Sequence, residues 1–341
     1  MRVATWNVNS VKQRVPRLLP WLDQRRPDVV CLQETKLADP AFEGLLGEEL
    51  SRRHYELALH GEAQWNGVAI LSRVGLDDVQ RGIDGVPGAA RREARAVSAT
   101  CGGVRIHSIY VPNGRTPGSD HYHYKLAWLH ALRERLLAGD GARAGDRQGE
   151  GAGGGEGHGA GHGEGGGHRQ GEGGGGGAGH GEGHGAGDGA AAAGVATIVC
   201  GDVNIAPTDL DVFDPDAYIG QTHVTPPERE ALAELVALGL RDVVRDRWPE
   251  ERVFTYWDYR AGMFHQDLGM RIDLVLATAP VADRVRAAWV DRQARKGSRP
   301  SDHAPVIVDL DEAPDGDIGP VVPPPSAPLR KRGSHTLPQS R

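Results

Sequence analysis

Asn7, Glu34, Tyr110, Asn113, Asp202, Asn204, Asp273, Asp302 and His303 share one property: each stands at or beside the end of a short apolar run. Their side chains supply carboxylate and amide oxygens, one imidazole and one phenol, and no thiol. Oxygen-rich sets suit hard cations. Mg²⁺ takes one or two protein carboxylates and completes its shell with water and substrate phosphate. Zinc is disfavoured, because the set lacks closed His/Cys ligands. A carboxylate beside an imidazole, as Asp273 could be to His303, fixes the ring tautomer and raises its pKa. A cationic imidazole and a metal would together stabilise charge building on a phosphoryl group. The residue types therefore point to metal-assisted hydrolysis of a phosphate ester.

The chain must deliver these groups to one place, and the central stretch is 197–207. Thr197-Ile198-Val199-Cys200 is an apolar, β-branched run that predicts a buried strand. It continues through Gly201 to Asp202 and Asn204, and Pro207 stops any ladder. If the backbone stays extended, a period of two puts Asp202 and Asn204 on one face and Val203 on the other. The same residues would equally close the strand with an Asx turn.

Upstream, residues 2–8 alternate into a strand ending at Asn7. Residues 15–25 predict a helix, with Pro16 in its first turn and Leu18, Leu19 and Leu22 as its apolar stripe. Residues 28–34 form a continuous apolar strand ending in Glu34, which would otherwise be a solvated loop acid. A β-α-β unit with parallel strands brings Asn7 and Glu34 together. Further strands are expected at 55–59, 67–72, 96–100 and 105–111, the last delivering Tyr110, Asn113 and Arg115. A tyrosine there would also serve as a capped core residue. Residues 124–137 predict a helix, as do 227–238. The aromatic run 253–260 implies core or a sheet face in a chain only 5% aromatic. Strands at 273–277 and 306–310 bracket the basic loop of Arg292, Arg295, Lys296 and Arg299.

Residues 139–194 differ in kind, being almost entirely Gly, Ala, Glu and His. Such a composition builds no packed core and predicts a disordered insertion, a tether or a weak site for borderline metals. The Pro-rich, then basic, stretch 312–341 predicts a disordered tail. A single catalytic domain is expected over 1–138 and 195–311. The formal charge of -7 argues against a generic polycationic binder, although the insertion contributes much of the acidic balance. Three cysteines, Cys31, Cys101 and Cys200, suggest reduced core thiols in a cytoplasmic protein. Neither a signal peptide nor a membrane-spanning run is expected from the sequence.

Six runs carry a family resemblance: Trp6-Asn7-Val8-Asn9, Leu32-Gln33-Glu34-Thr35-Lys36, Tyr110-Val111-Pro112-Asn113-Gly114, Gly201-Asp202-Val203-Asn204-Ile205-Ala206, Arg271-Ile272-Asp273 and Ser301-Asp302-His303-Ala304-Pro305. In order, and skipping only the insertion, they resemble the motif series of the exodeoxyribonuclease III family. That family is the abasic-site endonuclease branch of the endonuclease/exonuclease/phosphatase superfamily. The resemblance implies a four-layer α/β/β/α sandwich, two mixed sheets packed face to face between helices. It implies a monomeric, Mg²⁺-dependent DNA repair nuclease, with Mn²⁺ able to substitute. Its partner would be duplex DNA with abasic or 3′-blocked sites, and no membrane.

The resemblance also implies roles. Glu34 would be the principal metal ligand, with Asn7 and Asp302 close by and Asp202 and Asn204 completing the surroundings. Asp202, helped by Asn204, would position and deprotonate the attacking water. Asn113 and His303 would hold the scissile phosphate, Asp273 would orient His303, and Tyr110 would contact the phosphate or support the leaving group. How acid and base roles divide among Asp202, Tyr110 and His303 stays open. Tyr256, Met270 and Ile272 fall where the family builds a pocket for a base-less sugar, which selects damage that is easily extruded. Arg115 falls in the DNA groove. Arg91, Arg92, Arg95 and the 292–299 loop are candidate phosphate contacts. Two departures stand out: the insertion, and Met270 where a stiffer aromatic wall would be expected. Two competing readings are kept. One is a phosphatase or general nuclease using the same metal core. The other is a non-catalytic metal or DNA binder centred on the insertion.

Overall fold

The computed structural model of the chain describes residues 1–86, 93–139 and 194–312. The insertion, the tail, Arg91 and Arg92 lie outside the described residues, 139, 194 and 312 apart.

Among the described residues, twelve strands form two six-stranded sheets. The first runs β11(Val285–Val290), β12(Val306–Leu310), β1(Arg2–Asn7), β2(Val29–Gln33), β4(Val68–Ser72), β3(Glu56–His60). The second runs β5(Asp77–Arg81), β6(Ala96–Cys101), β7(Val104–Tyr110), β8(Thr197–Asp202), β10(Asp273–Thr278), β9(Leu240–Asp242). Each has one parallel pair at its centre, β1 with β2 and β7 with β8, flanked by antiparallel neighbours. Both sheets are therefore mixed, as expected.

Side-chain alternation builds the layers. Val3, Val29, Cys31, Val104, Ile106, Ile198, Cys200 and Val275 point between the sheets into one core. Their neighbours Ala4, Trp6, Val30 and Leu32 point outward from the first sheet. There they meet α1(Val11–Arg25), through Val11, Leu18, Trp21 and Leu22, and α2(Asp39–Arg52), through Phe42, Leu46 and Leu50. Each such side chain contributes roughly 1.5–3 kcal/mol on burial. On the far side, Ile109, Val199, Leu274 and Leu276 meet α3(Asp120–Ala138) and α4(Pro226–Val236). The result is the four-layer sandwich.

The inward parity also places the polar residues. Counting in twos from Val3, Ile106, Cys200 and Val275 reaches Asn7, Tyr110, Asp202 and Asp273, all inward-facing at strand ends. Asp202 lies opposite Tyr110 on one side and Asp273 on the other. Gly201 makes this approach possible. A Cβ there would come within 1.9 Å of Ile109 O, and its φ of 146° suits only glycine.

Two local expectations fail and a third is met by its core alternative. α1 begins at Val11, so Pro16 and Pro20 lie in its interior. The helix survives the lost N–H groups because its buried face packs on the sheet. β8 ends at Asp202, and Asn204 has a φ of 54°, so the chain turns instead of staying extended. The Asn204 N–H donates to Asp202 Oδ1 at 3.0 Å, which is the Asx-turn alternative. The aromatic run 253–260 meets its core alternative, because Phe254 and Trp257 are buried in a cluster with Phe264 and Leu268 and lie in no strand.

Candidate active site

Six chain segments meet at the strand ends of the two sheets. At the centre is Asn7, whose Nδ2 donates to Glu34 Oε1 and to Asp202 Oδ2, each at 2.9 Å. One amide thus ties a carboxylate of the first sheet to one of the second. Asn7 is held in turn by Ser301 Oγ, which donates to its carbonyl at 2.7 Å. Asn9, two residues on, donates its Nδ2 to both oxygens of Asp302 at 3.1 and 3.2 Å. Lys36 Nζ reaches Asn9 Oδ1 and Glu34 Oε2, both at 2.7 Å.

Beside this cluster lies a second pair. His303 Nδ1 is 2.8 Å from Asp273 Oδ2, and His303 Nε2 is 3.8 Å from Asp202 Oδ2. Asp273 is fixed from behind, because Thr255 Oγ1 accepts from its backbone N–H and from that of Ile272, each at 3.1 Å. Trp6 Nε1 donates to His303 O, and the Tyr256 ring lies on the imidazole at 4.9 Å between centroids.

The electrostatics follow from burial. Desolvation works against the charged form of His303, but Asp273 outweighs it and lifts the pKa to about 10, so the ring is cationic at neutral pH. Burial pushes Asp202 up to about 7, against His303 and reinforced by Asp273 and Glu34. Burial would raise Glu34 too, but Lys36 and the Asn7 hydrogen bond hold it below its ordinary value. Burial and the same two carboxylates push Tyr110 well up, so its phenol stays protonated. A carboxyl that titrates near neutrality, next to a fixed cation, is matched to take a proton from water.

Glu34, Asp202 and Asp302 with the Asn7 and Asn9 amides make an all-oxygen, net-acidic set, which fits a hard divalent cation. Among the described residues no three His, Cys, Asp or Glu side chains are gathered closely enough to enclose an ion. A cation here would keep much of its shell for water and substrate oxygens, as Mg²⁺ does.

The remaining residues fall into two groups. Asn113 Nδ2 donates to Asn204 Oδ1 at 3.2 Å, and Arg115 N donates to Asn113 Oδ1. Asn204 Nδ2 donates to Val111 O, so its amide faces Asn113 and is not stacked over Asp202. Tyr110, Asn113 and Arg115 line a cavity of about 350 Å³ with Trp65, Arg95 and Tyr124. Met270 and Ile272, by contrast, are only 4% and 2% exposed, in the aromatic cluster with Phe254, Trp257 and Phe264. Met270 is drawn in by paired backbone hydrogen bonds with Tyr256, which stays half-buried at the cluster edge.

Two basic candidates are used internally. Arg292 pairs with Asp267 at 2.6 Å and stacks on Trp257, while buried Arg295 donates to Trp257 O and lies over Tyr259 and Phe264. Burial of aromatic faces beside the loop consumes these guanidiniums. Lys296 and Arg299 remain exposed. Arg95 pairs with Glu93 and covers the Tyr110 ring at 4.9 Å. Sequence reasoning passed over Asn9, Lys36, Ser301 and Thr255. Asn9, Lys36 and Ser301 stand inside the motif runs but drew no role of their own, and Asn9 also carried the spacing of two from Asn7.

Residues 4–147 and 143–303 match the Endonuclease/Exonuclease/phosphatase family. An exodeoxyribonuclease of Bacillus subtilis is 24% identical over 309 residues, 90% of this chain and 98% of that one. Two solved structures superpose with a TM-score of 0.71 at 30% identity, covering 92% of this chain and all of theirs: the 3′ phosphatase NExo from Neisseria, bound to a product DNA hairpin, and an AP endonuclease from Archaeoglobus fulgidus. With its motif residues converging between two mixed sheets and the match spanning nearly all of that sandwich, the chain belongs to the endonuclease/exonuclease/phosphatase family.

Proposed function

We propose that this protein is a Mg²⁺-dependent DNA repair nuclease. It hydrolyses the phosphodiester 5′ to an abasic site in duplex DNA, and it trims 3′ ends as a 3′–5′ exonuclease and 3′-phosphodiesterase. Mn²⁺ substitutes for Mg²⁺. The observation that carries the reading is the Asn7 bridge between Glu34 and Asp202 beside the Asp273–His303 pair. It gathers oxygen donors, a near-neutral carboxyl and an imidazolium around one small volume. The similar proteins are named an exodeoxyribonuclease, a 3′ phosphatase and an AP endonuclease, and each name describes cleavage at a phosphate ester of a nucleic acid.

In this mechanism Glu34, Asn7 and Asp302 would hold the cation, which when bound neutralises charge on phosphoryl oxygens. Asp202 accepts the proton of the attacking water. Asn204 steadies it by donating its backbone N–H. The Asn113 amide and the His303 imidazolium hold the phosphate, and Asp273 keeps Nδ1 of His303 protonated and the ring oriented. The Tyr110 phenol supports the departing oxygen. Tyr256, Met270 and Ile272 shape the sugar side, and Arg115 enters the groove.

Burial of Met270 and Ile272 favours one second reading, a phosphatase or general nuclease without abasic preference. Incision of a duplex with one abasic site, compared with an undamaged duplex and a 3′-phosphate end, separates the two. A Mg²⁺-dependent internal cut at the abasic site that the undamaged duplex lacks, together with removal of the 3′-phosphate, upholds the proposal. Equal attack on all three removes the sugar pocket and keeps the metal chemistry. No attack with Mg²⁺ rejects both.

Two further outcomes are expected. Glu34→Ala should raise the Mg²⁺ concentration for half-maximal rate by at least about 10-fold; an unchanged titration removes Glu34 from the ligand set. Binding to duplex DNA in chelator, followed by fluorescence anisotropy, should weaken at least about tenfold between 50 and 200 mM salt as counterions are released. A flat salt profile would exclude phosphate contacts as the source of affinity.

A further inference from the structure

Beneath the two amides lies a buried ionic cluster with no part in the chemistry above. Lys125, on α3, has no solvent exposure, and its ammonium has three acceptors: Asn204 O at 2.6 Å, Glu228 Oε1 at 2.5 Å and Asn113 O at 3.3 Å. An ammonium has three N–H donors, so all are used. Glu228, equally buried on α4, is braced by His223 N and by Thr225 N and Oγ1, at 2.8–3.1 Å. The Thr222 hydroxyl lies 2.7 Å from Glu228 Oε1 and 3.0 Å from Asn113 O. His223 Nδ1 is 2.6 Å from Asn204 O, so that nitrogen is the protonated one, and Nε2 faces Asn113 Nδ2 at 3.5 Å.

A buried ion pair is weak evidence for stability, because well-packed apolar residues of the same volume often do as well. What apolar residues would not do is grip two main-chain carbonyls. Asn113 and Asn204 both lie beyond the ends of their strands, β7 ending at Tyr110 and β8 at Asp202. The sheet ladder no longer fixes them there. A convergent point donor does, and an ammonium fits three acceptors around one atom better than a planar guanidinium.

We infer that Lys125 is a positioning residue: its buried ammonium, braced by Glu228, clamps the main chain at Asn113 and Asn204 and thereby sets the amide pair through which Asn113 is presented to the scissile phosphate. The role in catalysis rests on the function proposed above; the clamp itself does not. Positioning of this kind controls rate, since a misplacement of about 1 Å costs up to about 10²-fold.

The test uses the full chain. Lys125→Met alone leaves Glu228 unpaired and risks unfolding, so the isosteric neutral pair Lys125→Met/Glu228→Gln accompanies it. In the double variant a cooperative thermal transition should persist. On the abasic duplex kcat should fall about 10-fold with KM within about twofold. The same pair added to Asn113→Ala should cost less further than it costs in the wild-type background, because the clamp acts in part through Asn113. An equal loss with and without Asn113, or no loss at all, overturns the inference. A second readout needs no activity: the side-chain amide signals of Asn113 and Asn204 in ¹⁵N spectra, assigned with Asn113→Asp and Asn204→Asp. In wild type they should be dispersed and slow to exchange, and in the double variant they should collapse toward free-amide positions. Signals unmoved by the double substitution overturn the clamp. Wild-type protein that cleaves no DNA while its amide signals respond as stated would sink the functional proposal and uphold the clamp.

Discussion

Asp202→Asn is expected to lower turnover on abasic duplex by about 10²–10⁴-fold, the range for removing a general base, while duplex binding in chelator changes less than about twofold. The side chain keeps its size, and an amide oxygen can still accept the Asn204 N–H that Asp202 Oδ1 accepts now. What is lost is basicity. Burial holds the Asp202 carboxyl near neutrality, with Asp273 and Glu34 adding to the rise and His303 opposing it, and no amide accepts a proton there. The substituted NH₂ would also face the Asn7 Nδ2 that donates to Asp202 Oδ2, so Asn7 would lose one of its two carboxylate partners. Single-turnover rates at saturating protein separate chemistry from binding. A rate within threefold of wild type would take Asp202 out of the mechanism.

Arg271→Met should destabilise the fold by about 3–5 kcal/mol, the cost of breaking a buried ion pair from one side. Arg271 is fully buried, with Nε 2.6 Å from Asp211 Oδ1 and Nη1 2.6 Å from Asp242 Oδ2. Asp211 would keep Arg245 and the Thr208 hydroxyl, but the Asp242 carboxylate would lose its buried partner. Asp273 lies two residues beyond Arg271, so activity should fall with stability. Urea denaturation gives the change directly, with Arg245→Met as the milder control because that side chain is partly exposed. A loss below about 1 kcal/mol would mean the network is a bystander. The pH dependence has a definite sign. Burial alone would raise Asp211, but Arg271 outweighs it and holds the carboxyl below its ordinary value. The contribution is therefore complete above the unfolded value of about 4 and is lost as pH falls through the lower folded value.

Much of the strand framework was legible because each strand is short, apolar and alternating. The strand at 306–310 agrees residue for residue, and β1, β2, β8 and β10 agree within a residue or two. β5, β9, β11 and α2 were not read. β5 is Asp-Asp-Val-Gln-Arg at a sheet edge, where one face is wet and no apolar period survives. α2 carries two glycines and only three buried apolar residues, too sparse a stripe to recognise. At the site, the pairing of Asn7 with Glu34 followed from β-α-β geometry, since parallel neighbours end together.

Residue type and strand-end position by themselves picked out the groups proposed for the chemistry, and inward parity could be counted along each strand. That information is local, because carboxylate, amide and imidazole keep their properties wherever the chain takes them. Only the tertiary structure decided how the groups meet. It set Asn7 between carboxylates of different sheets, buried Met270 and Ile272, turned the Arg292 and Arg295 guanidiniums onto aromatic faces, and set Lys125 under two loops. These are contacts between residues up to hundreds of positions apart. They are selected by the fit of whole layers and by the cost of leaving a charge unpaired in the interior, and no local window of sequence contains either.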